Sequence, residues 1–265
     1  MRALKLIQIV EIANRKFPFD CSEPWDNSGI QVGNPDRDIK NIAFCLDVHP
    51  ATIRFAKQNS CELLISHHPL LINPIKKILT SDLIGETIVT AVKSDVDVLS
   101  LHTNLDAAEG GLNDYLAQLI GLSDVITPIN APCSRVGNMG NPASVASLDE
   151  LVRHRLAIST TSVVTQDLNR LVSRIFLASG SGAGYLHEAI HSGADVMITG
   201  DVKYHSAVDA LRLGISVIDA GHFGMEKHAV KLMADCFRKE FENMGVQIGC
   251  HECAQEKDPF VLNKI

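Results

Sequence analysis

The sequence contains no long hydrophobic run. Stretches such as Leu63–Ile65 and Val196–Ile198 are its most apolar segments, far short of the ~20 residues a membrane-crossing helix needs. It also lacks a block of Lys and Arg: 24 basic against 31 acidic side chains give a formal charge of −7. That balance argues against a dedicated duplex-DNA binder, which needs clustered positive charge to neutralise phosphates; nucleic acid stays open as a partner without being indicated by charge. A disulfide framework is missing as well, because the seven cysteines are odd in number and scattered at 21, 45, 61, 133, 236, 250 and 253, which fits a reducing compartment. The opening MRALKLIQIVEIANRKF reads as an amphipathic helix rather than a secretory leader, since Glu11 interrupts its apolar part and no small-residue cleavage site follows. A cytoplasmic protein is expected. What is present is ordinary globular material, 46% apolar over 265 residues, enough to bury a sizeable core without disulfides or a structural metal.

Leu4, Ile7, Ile9, Val10, Ile12 and Ala13 predict a first helix, closed off by Pro18 and the polar turn CSEPWDNSG. The period then changes. Short strands are expected at Ile39–Leu46, Glu62–Ser66 and Val96–Leu101, separated by helices at Pro50–Gln58 and Asp82–Lys93. The second half repeats the theme, with strands near Ser162–Thr165, Arg174–Ala178, Val196–Thr199 and Val217–Asp219 and helices near Leu148–Leu156, Tyr185–His191, His205–Arg212 and Gly224–Phe241. Alternating strands and helices predict an α/β fold with largely parallel sheets. In each half a buried-type strand ends in a polar pair, His67-His68 or Gly200-Asp201. A later strand ends in His followed four residues on by a carboxylate, His102/Asp106 or His222/Glu226, the pattern of an internal duplication. The Pro/Asn/Gly-containing stretch Pro128–Pro142 is the candidate linker. It sets the expected lobes at 1–128 plus 235–265 and at 129–234.

In open α/β sheets ligands collect beyond the carboxyl ends of strands. His67 and His68 follow LLIS there, His102 follows VLSL and His222 follows VIDAG. A single histidine is more often structural than a ligand. The convergence of SHHP, H-x3-D and H-x3-E carries the metal reading. Imidazole with carboxylate suits Zn, Mn, Fe or Co better than Ca or Mg. The expected ligands of two divalent cations are therefore His67, His68, Asp106, His222 and Glu226.

The ordered segments EPWDNSGIQVG (23–33), LISHHPL (64–70), HTNLDAAEGGLND (102–114), TGDVKYHSA (199–207) and DAGHFGME (219–226) resemble the Nif-three-like family, whose bacterial members are called GTP cyclohydrolase 1 type 2 homologs. The resemblance puts the dinuclear centre on the same five residues. It implies two similar α/β lobes with mixed, largely parallel sheets flanked by helices, the metal site in the cleft between them, and a ring-shaped homohexamer.

Other residues stay open between two readings. His102 either orients Asp106 or a metal-bound water, or is structural. Asp201 and His205, the counterparts of the histidine pair, either orient substrate or exchange protons with bound water, or serve as a helix cap and a surface residue. Gly180, Gly182 and Gly184 either face a substrate phosphate or form a plain Gly-rich turn. Trp25-Asp26-Asn27 reads as a turn with the sole Trp plugging a core, and Cys250/Cys253 as a pair of thiols, since one CxxC is half a zinc site. A metal pair favours hydrolysis of a small anionic substrate, in the family's named version the ring-opening of GTP with release of formate. The alternatives are a dinuclear phosphoesterase acting on nucleotides or nucleic-acid ends, such as damaged ones, and a non-enzymatic ring scaffold or metal-handling protein.

Overall fold

A computed structural model of the chain describes residues 3–261. Its contacts divide it into two compact units, residues 1–108 with 229–256, and 109–228 with 257–265.

The first unit contains β1 (Leu4–Lys5), α1 (Leu6–Lys16), β2 (Gly29–Val32), β3 (Asp38–Ile39), β4 (Asn41–Cys45), α2 (Pro50–Gln58), β5 (Leu63–Ser66), α3 (Leu83–Ser94), β6 (Asp97–Ser100), α4 (Thr103–Ala107), α10 (His228–Asn243) and β13 (Gly249–Glu252). Its main sheet runs β13-β4-β5-β6-β2. The first four strands are parallel and β2 closes the edge antiparallel to β6. β5 is LLIS and β6 is DVLS, both buried throughout, as a parallel sheet covered by helices requires. Pro50 at the first helical position and His49 Nδ1, which accepts from the amides of Ala51 (3.2 Å) and Thr52 (3.4 Å), start α2. That helix lays Ile53 and Ala56 on Ala43, Leu64 and Val98 of the sheet. Full burial of such an aliphatic chain contributes about 1.5–3 kcal/mol.

The second unit contains α5 (Leu112–Ile120), β7 (Ser123–Ile126), β8 (Arg135–Ser144), α6 (Val145–Arg155), β9 (Ser162–Val164), β10 (Leu171–Leu177), α7 (Leu186–His191), β11 (Val196–Thr199), α8 (Tyr204–Leu213), β12 (Ser216–Asp219) and α9 (His222–Glu226). Its sheet order is β7-β8-β10-β11-β12-β9, parallel over β10, β11 and β12 and antiparallel elsewhere. Phe176, Met197 and Val217 of the parallel strands pack with Leu186, Ala189 and Ala210 of the helices.

The repeated order is real at the level of topology. β4-α2-β5-α3-β6-α4 and β10-α7-β11-α8-β12-α9 have the same parallel sequence of strands, and each ends in a five-residue helix. The expected linker Pro128–Pro142 is corrected, because most of it is β8, a ten-residue strand paired with β7 and β10. Arg135 opens that strand fully buried and is neutralised by a two-pronged contact with Asp114 on α5. Gly137 admits close contact with Leu122, whose Cβ would lie 3.0 Å from an added methyl. The expected first helix loses its opening too, since Leu4–Lys5 pairs with β3.

Candidate metal centre

In the first unit the ladder continues past β5. The amide of His67 donates to the carbonyl of Cys45 (3.1 Å) and that of His68 to the carbonyl of Leu46 (2.9 Å), so both histidines stand at the carboxyl edge of the sheet with fixed backbones. Pro69 ends the pairing there. His67 is fully buried. Its Nδ1 lies 2.9 Å from the carbonyl of Leu101. A carbonyl only accepts, so Nδ1 carries the proton and the lone pair sits on Nε2, 3.8 Å from Asp106 Oδ1. His68 Nδ1 bonds Asp47 Oδ1 at 2.8 Å, and His102 Nδ1 bonds Asp26 Oδ1 at 2.7 Å. His67, His68 and His102 each offer a ring nitrogen, and these three atoms lie within 4.8 Å of one another. Asp106, buried on α4, follows His102 by one helical turn.

Asp26 accounts for the place of His102. Its carboxylate is inaccessible to solvent and accepts from the Thr103 amide (3.1 Å), Thr103 Oγ1 (2.6 Å), Ser28 Oγ (2.9 Å), the Asn27 amide (2.7 Å) and His102. Burial pushes its pKa up, but the hydrogen bonds from His102 and Thr103, the His102 charge and Ser28 outweigh that and hold it well below the usual carboxylate range. Asp26 is an anchor rather than a turn residue alone. Trp25 beside it does not plug a core: it is 60% exposed and meets the His102 ring edge-on at 5.9 Å, because the short turn gives it no apolar cavity to enter.

In the second unit α9 begins at His222. Gly221 (φ +74°) lets the chain turn there, and Asp219 ties the turn by accepting from the amides of Gly221 and Val202, both at 2.9 Å. His222 Nδ1 lies 2.7 Å from Asp201 Oδ2, and its Nε2 lies 2.7 Å from Glu226 Oε2 one turn on. Asp201 has φ +54°, a left-handed conformation that costs a non-glycine residue about 1 kcal/mol or more. The expected counterpart of the histidine pair thus appears as an orienting carboxylate for His222. His205 lies exposed in the first turn of α8 against Tyr204, ring centroids 5.3 Å apart.

The glycine cluster shows why its residues are small. A Cβ on Gly180, at φ +61°, would stand 2.2 Å from Glu226 Oε1, so the buried carboxylate of Glu226 packs directly on that backbone. The Gly182 amide is given to Thr199 Oγ1 at 2.9 Å. Gly184 is open, with nothing within 4 Å of an added methyl. Cys250 is pushed up to about 11 and Cys253 also upward, in both cases by burial first, the opposite of what a thiolate ligand needs.

All four site histidines therefore have Nδ1 committed to an oxygen: the Leu101 carbonyl, Asp47, Asp26 or Asp201. This leaves Nε2 as the ring atom that could serve a cation, at His222 facing Glu226 Oε2; proteins use such Nδ1 partners to fix the tautomer and raise the basicity of a metal-bound imidazole. The donor set of Nε2 atoms and carboxylates fits a divalent cation of the Zn, Mn, Fe or Co type. Sequence reasoning missed Asp47 altogether and took Asp26 as a turn. The available signal was an aspartate directly after the strand FCL, a third strand end beside the histidine pair.

Strand-end imidazoles and carboxylates on a mixed α/β frame define the class, an α/β protein with a potential metal-binding site. The chain belongs to the Duf34/NIF3 (NGG1p interacting factor 3) family, whose sequence profile matches residues 4–259. It is 31% identical over 263 residues to a Clostridium perfringens protein named GTP cyclohydrolase 1 type 2 homolog, covering 97% of this chain and 99% of that one. It is 29% identical over 228 residues to a Helicobacter pylori protein named GTP cyclohydrolase 1 type 2, covering 86% and 89%. The fold matches a Staphylococcus aureus hypothetical protein with TM-score 0.92 at 23% identity, over 99% of this chain and all of that one. It also matches HcgD from Methanocaldococcus jannaschii with TM-score 0.80 at 27% identity, over 96% and 99%.

Proposed function

We propose that this protein is a divalent-metal-dependent hydrolase acting on a nucleotide, with a centre of two cations held by His67, His68, Asp106, His222 and Glu226. The observation that carries the reading is the commitment of Nδ1 to an oxygen in every one of the site histidines. Bound cations of this kind lower the pKa of water toward neutrality and polarise an electrophile. The chain's own residues do the rest. His102, with its ring held by Asp26, takes a proton at Nε2 from the attacking water and returns it to the leaving nitrogen or oxygen. Asp201 keeps His222 facing Glu226. His205 and the amides of Gly180 and Gly184 are the groups offered to the substrate's polar end; Gly182 contributes backbone shape, its amide being taken.

The names of the relatives favour a purine nucleotide, with hydrolytic opening of the GTP imidazole ring and release of formate. Self-association into a homohexamer and a cytoplasmic location complete the proposal; no helix among the described residues is long and apolar enough to cross a membrane. The test is to load the protein separately with Mn, Zn, Fe or Co, incubate it with GTP, and assay formate and phosphate in parallel. Formate supports ring-opening. Phosphate without formate replaces it with the phosphoesterase reading, and neither product with any metal leaves the scaffold or metal-handling reading.

A further inference from the structure

The carboxylate that orients His68 is itself held by a residue from the far end of the chain. Glu256 accepts the Leu46 amide on Oε2 and the Asp47 amide on Oε1, both at 2.8 Å, across 210 and 209 residues of sequence. It is delivered there by β13, which runs parallel to β4 with Glu252 opposite Phe44, and by the Cys253 amide donating to the Phe44 carbonyl at 2.8 Å. Asp47 is then fixed from its other side, where Thr52 Oγ1 donates to its carbonyl at 3.0 Å. The Asp47 side chain is 55% exposed, and an exposed carboxylate–imidazole pair is worth little if both partners are free to turn. Immobilising the backbone on both sides of Asp47 removes much of the entropy that would oppose its bond to His68 Nδ1.

We infer that Glu256 is a positioning residue for the metal site, holding the Asp47 backbone so that the Asp47 carboxylate orients His68. The inference rests on His68 being a ligand, as proposed above. Chemistry explains the residue type: two successive N–H groups need two acceptor oxygens, which a carboxylate has and a carboxamide lacks. Glu256→Gln keeps the volume yet turns an NH2 group toward one of the two amides.

The experiment uses the full chain, stripped by chelation and titrated with Zn2+ against a chromogenic competitor, so it needs no activity. The variants are Glu256→Gln, Asp47→Ala, their double mutant and His68→Ala, with thermal unfolding and far-UV dichroism recorded for each. Asp47→Ala is expected to weaken Zn2+ binding about 10–100-fold, the usual effect of losing a histidine's outer partner. Glu256→Gln should weaken it about 3–10-fold, below that limit. On the Asp47→Ala background Glu256→Gln should add less than about twofold, since residues acting through one another do not add. Glu256→Asp, one methylene shorter, serves the same comparison if the carboxamide does not fold. Binding within about twofold of wild type for the Glu256 variants, or a full multiplication of the two effects, overturns the inference while leaving the site intact. Wild-type binding by His68→Ala overturns the ligand assignment and this inference with it.

Discussion

Replacing Asp26 by Asn separates the anchoring of His102 from its charge. The Asp26 carboxylate has no solvent access and receives five hydrogen bonds, three on Oδ2 from Ser28 and Thr103 and two on Oδ1 from Asn27 and His102. A carboxamide must place NH2 on one side or the other. On the Oδ2 side it meets the Thr103 amide, and on the Oδ1 side the Asn27 amide, neither of which can turn away. Each hydrogen bond to a charged group is worth about 1.5–3 kcal/mol and the stranded donor costs more. The expected loss is thus about 2–4 kcal/mol from a total of about 5–15 for a domain, read as a shift of the urea midpoint. The pH dependence has a definite sign. A carboxyl whose folded pKa is depressed stabilises the fold above its unfolded pKa, about 3.9, and loses that contribution as pH falls through the folded value. The gap between wild type and Asp26→Asn should therefore be full at pH 6 and narrow below about pH 4. If His102 carries the proton, kcat falls about 10²–10⁴-fold with metal content unchanged. A stability change under about 0.5 kcal/mol, the scale of an unimportant surface substitution, would refute the anchoring argument. The loss of a metal equivalent would instead make His102 a ligand.

Gly180→Ala should displace the Glu226 carboxylate, because its Cβ falls 2.2 Å from Oε1 at φ +61°. Elemental analysis should show reduced metal, whereas Gly184→Ala, with nothing within 4 Å of its Cβ, should match wild type. Asp201→Gly relieves a left-handed φ of +54° and should hold or raise thermal stability by about 1 kcal/mol, while metal affinity drops about 10–100-fold as His222 loses its partner; parallel losses of both would contradict it. Replacing Cys250 and Cys253 together by Ser should leave metal stoichiometry unchanged, since burial raises both thiols, and a missing equivalent would reinstate them as ligands.

The sequence was legible where local pattern and tertiary demand agree. Pro50–Gln58 has its proline at the helix start and its apolar residues on one face, and it is observed with those bounds. Val196–Thr199 is a buried strand by composition and in fact. β8 escaped because RVGNMGNPAS carries turn residues throughout; its extended form comes from β7 on one side and β10 on the other, and its opening Arg135 is buried against Asp114 and the carbonyls of Pro132 and Ser134. β13 was hidden for a related reason: GCHE draws attention as a ligand motif, and only its pairing with β4 makes it a strand. Among the site residues the candidate ligands were visible from their places at strand ends. Their orienting partners were not, because Asp47 stands 21 residues from His68 and Asp26 stands 76 from His102, distances at which no periodicity connects them.

The repeat explains a division of labour that composition alone hides. At the end of β5 the first unit offers two imidazoles; at the equivalent end of β11 the second offers Gly200 and Asp201. A Cβ on Gly200 would lie 2.6 Å from the Gly180 carbonyl and 2.7 Å from the His222 nitrogen, so glycine there permits close backbone approach, and Asp201 becomes a support for His222. The same strand end thus offers candidate donors in one unit and an orienting group in the other. The electrostatic result follows. Asp47 and Asp201 each stand one imidazole away from a nitrogen that would ligate in the proposed centre and would make it a stronger donor, while Asp26 would raise the basicity of His102 in the same way. Stronger donation there would tighten metal binding and temper the pull of the cations on an anionic substrate. Substrate affinity in the proposed centre would then come largely from the protein's own groups, the role proposed for His205 and the amides of Gly180 and Gly184.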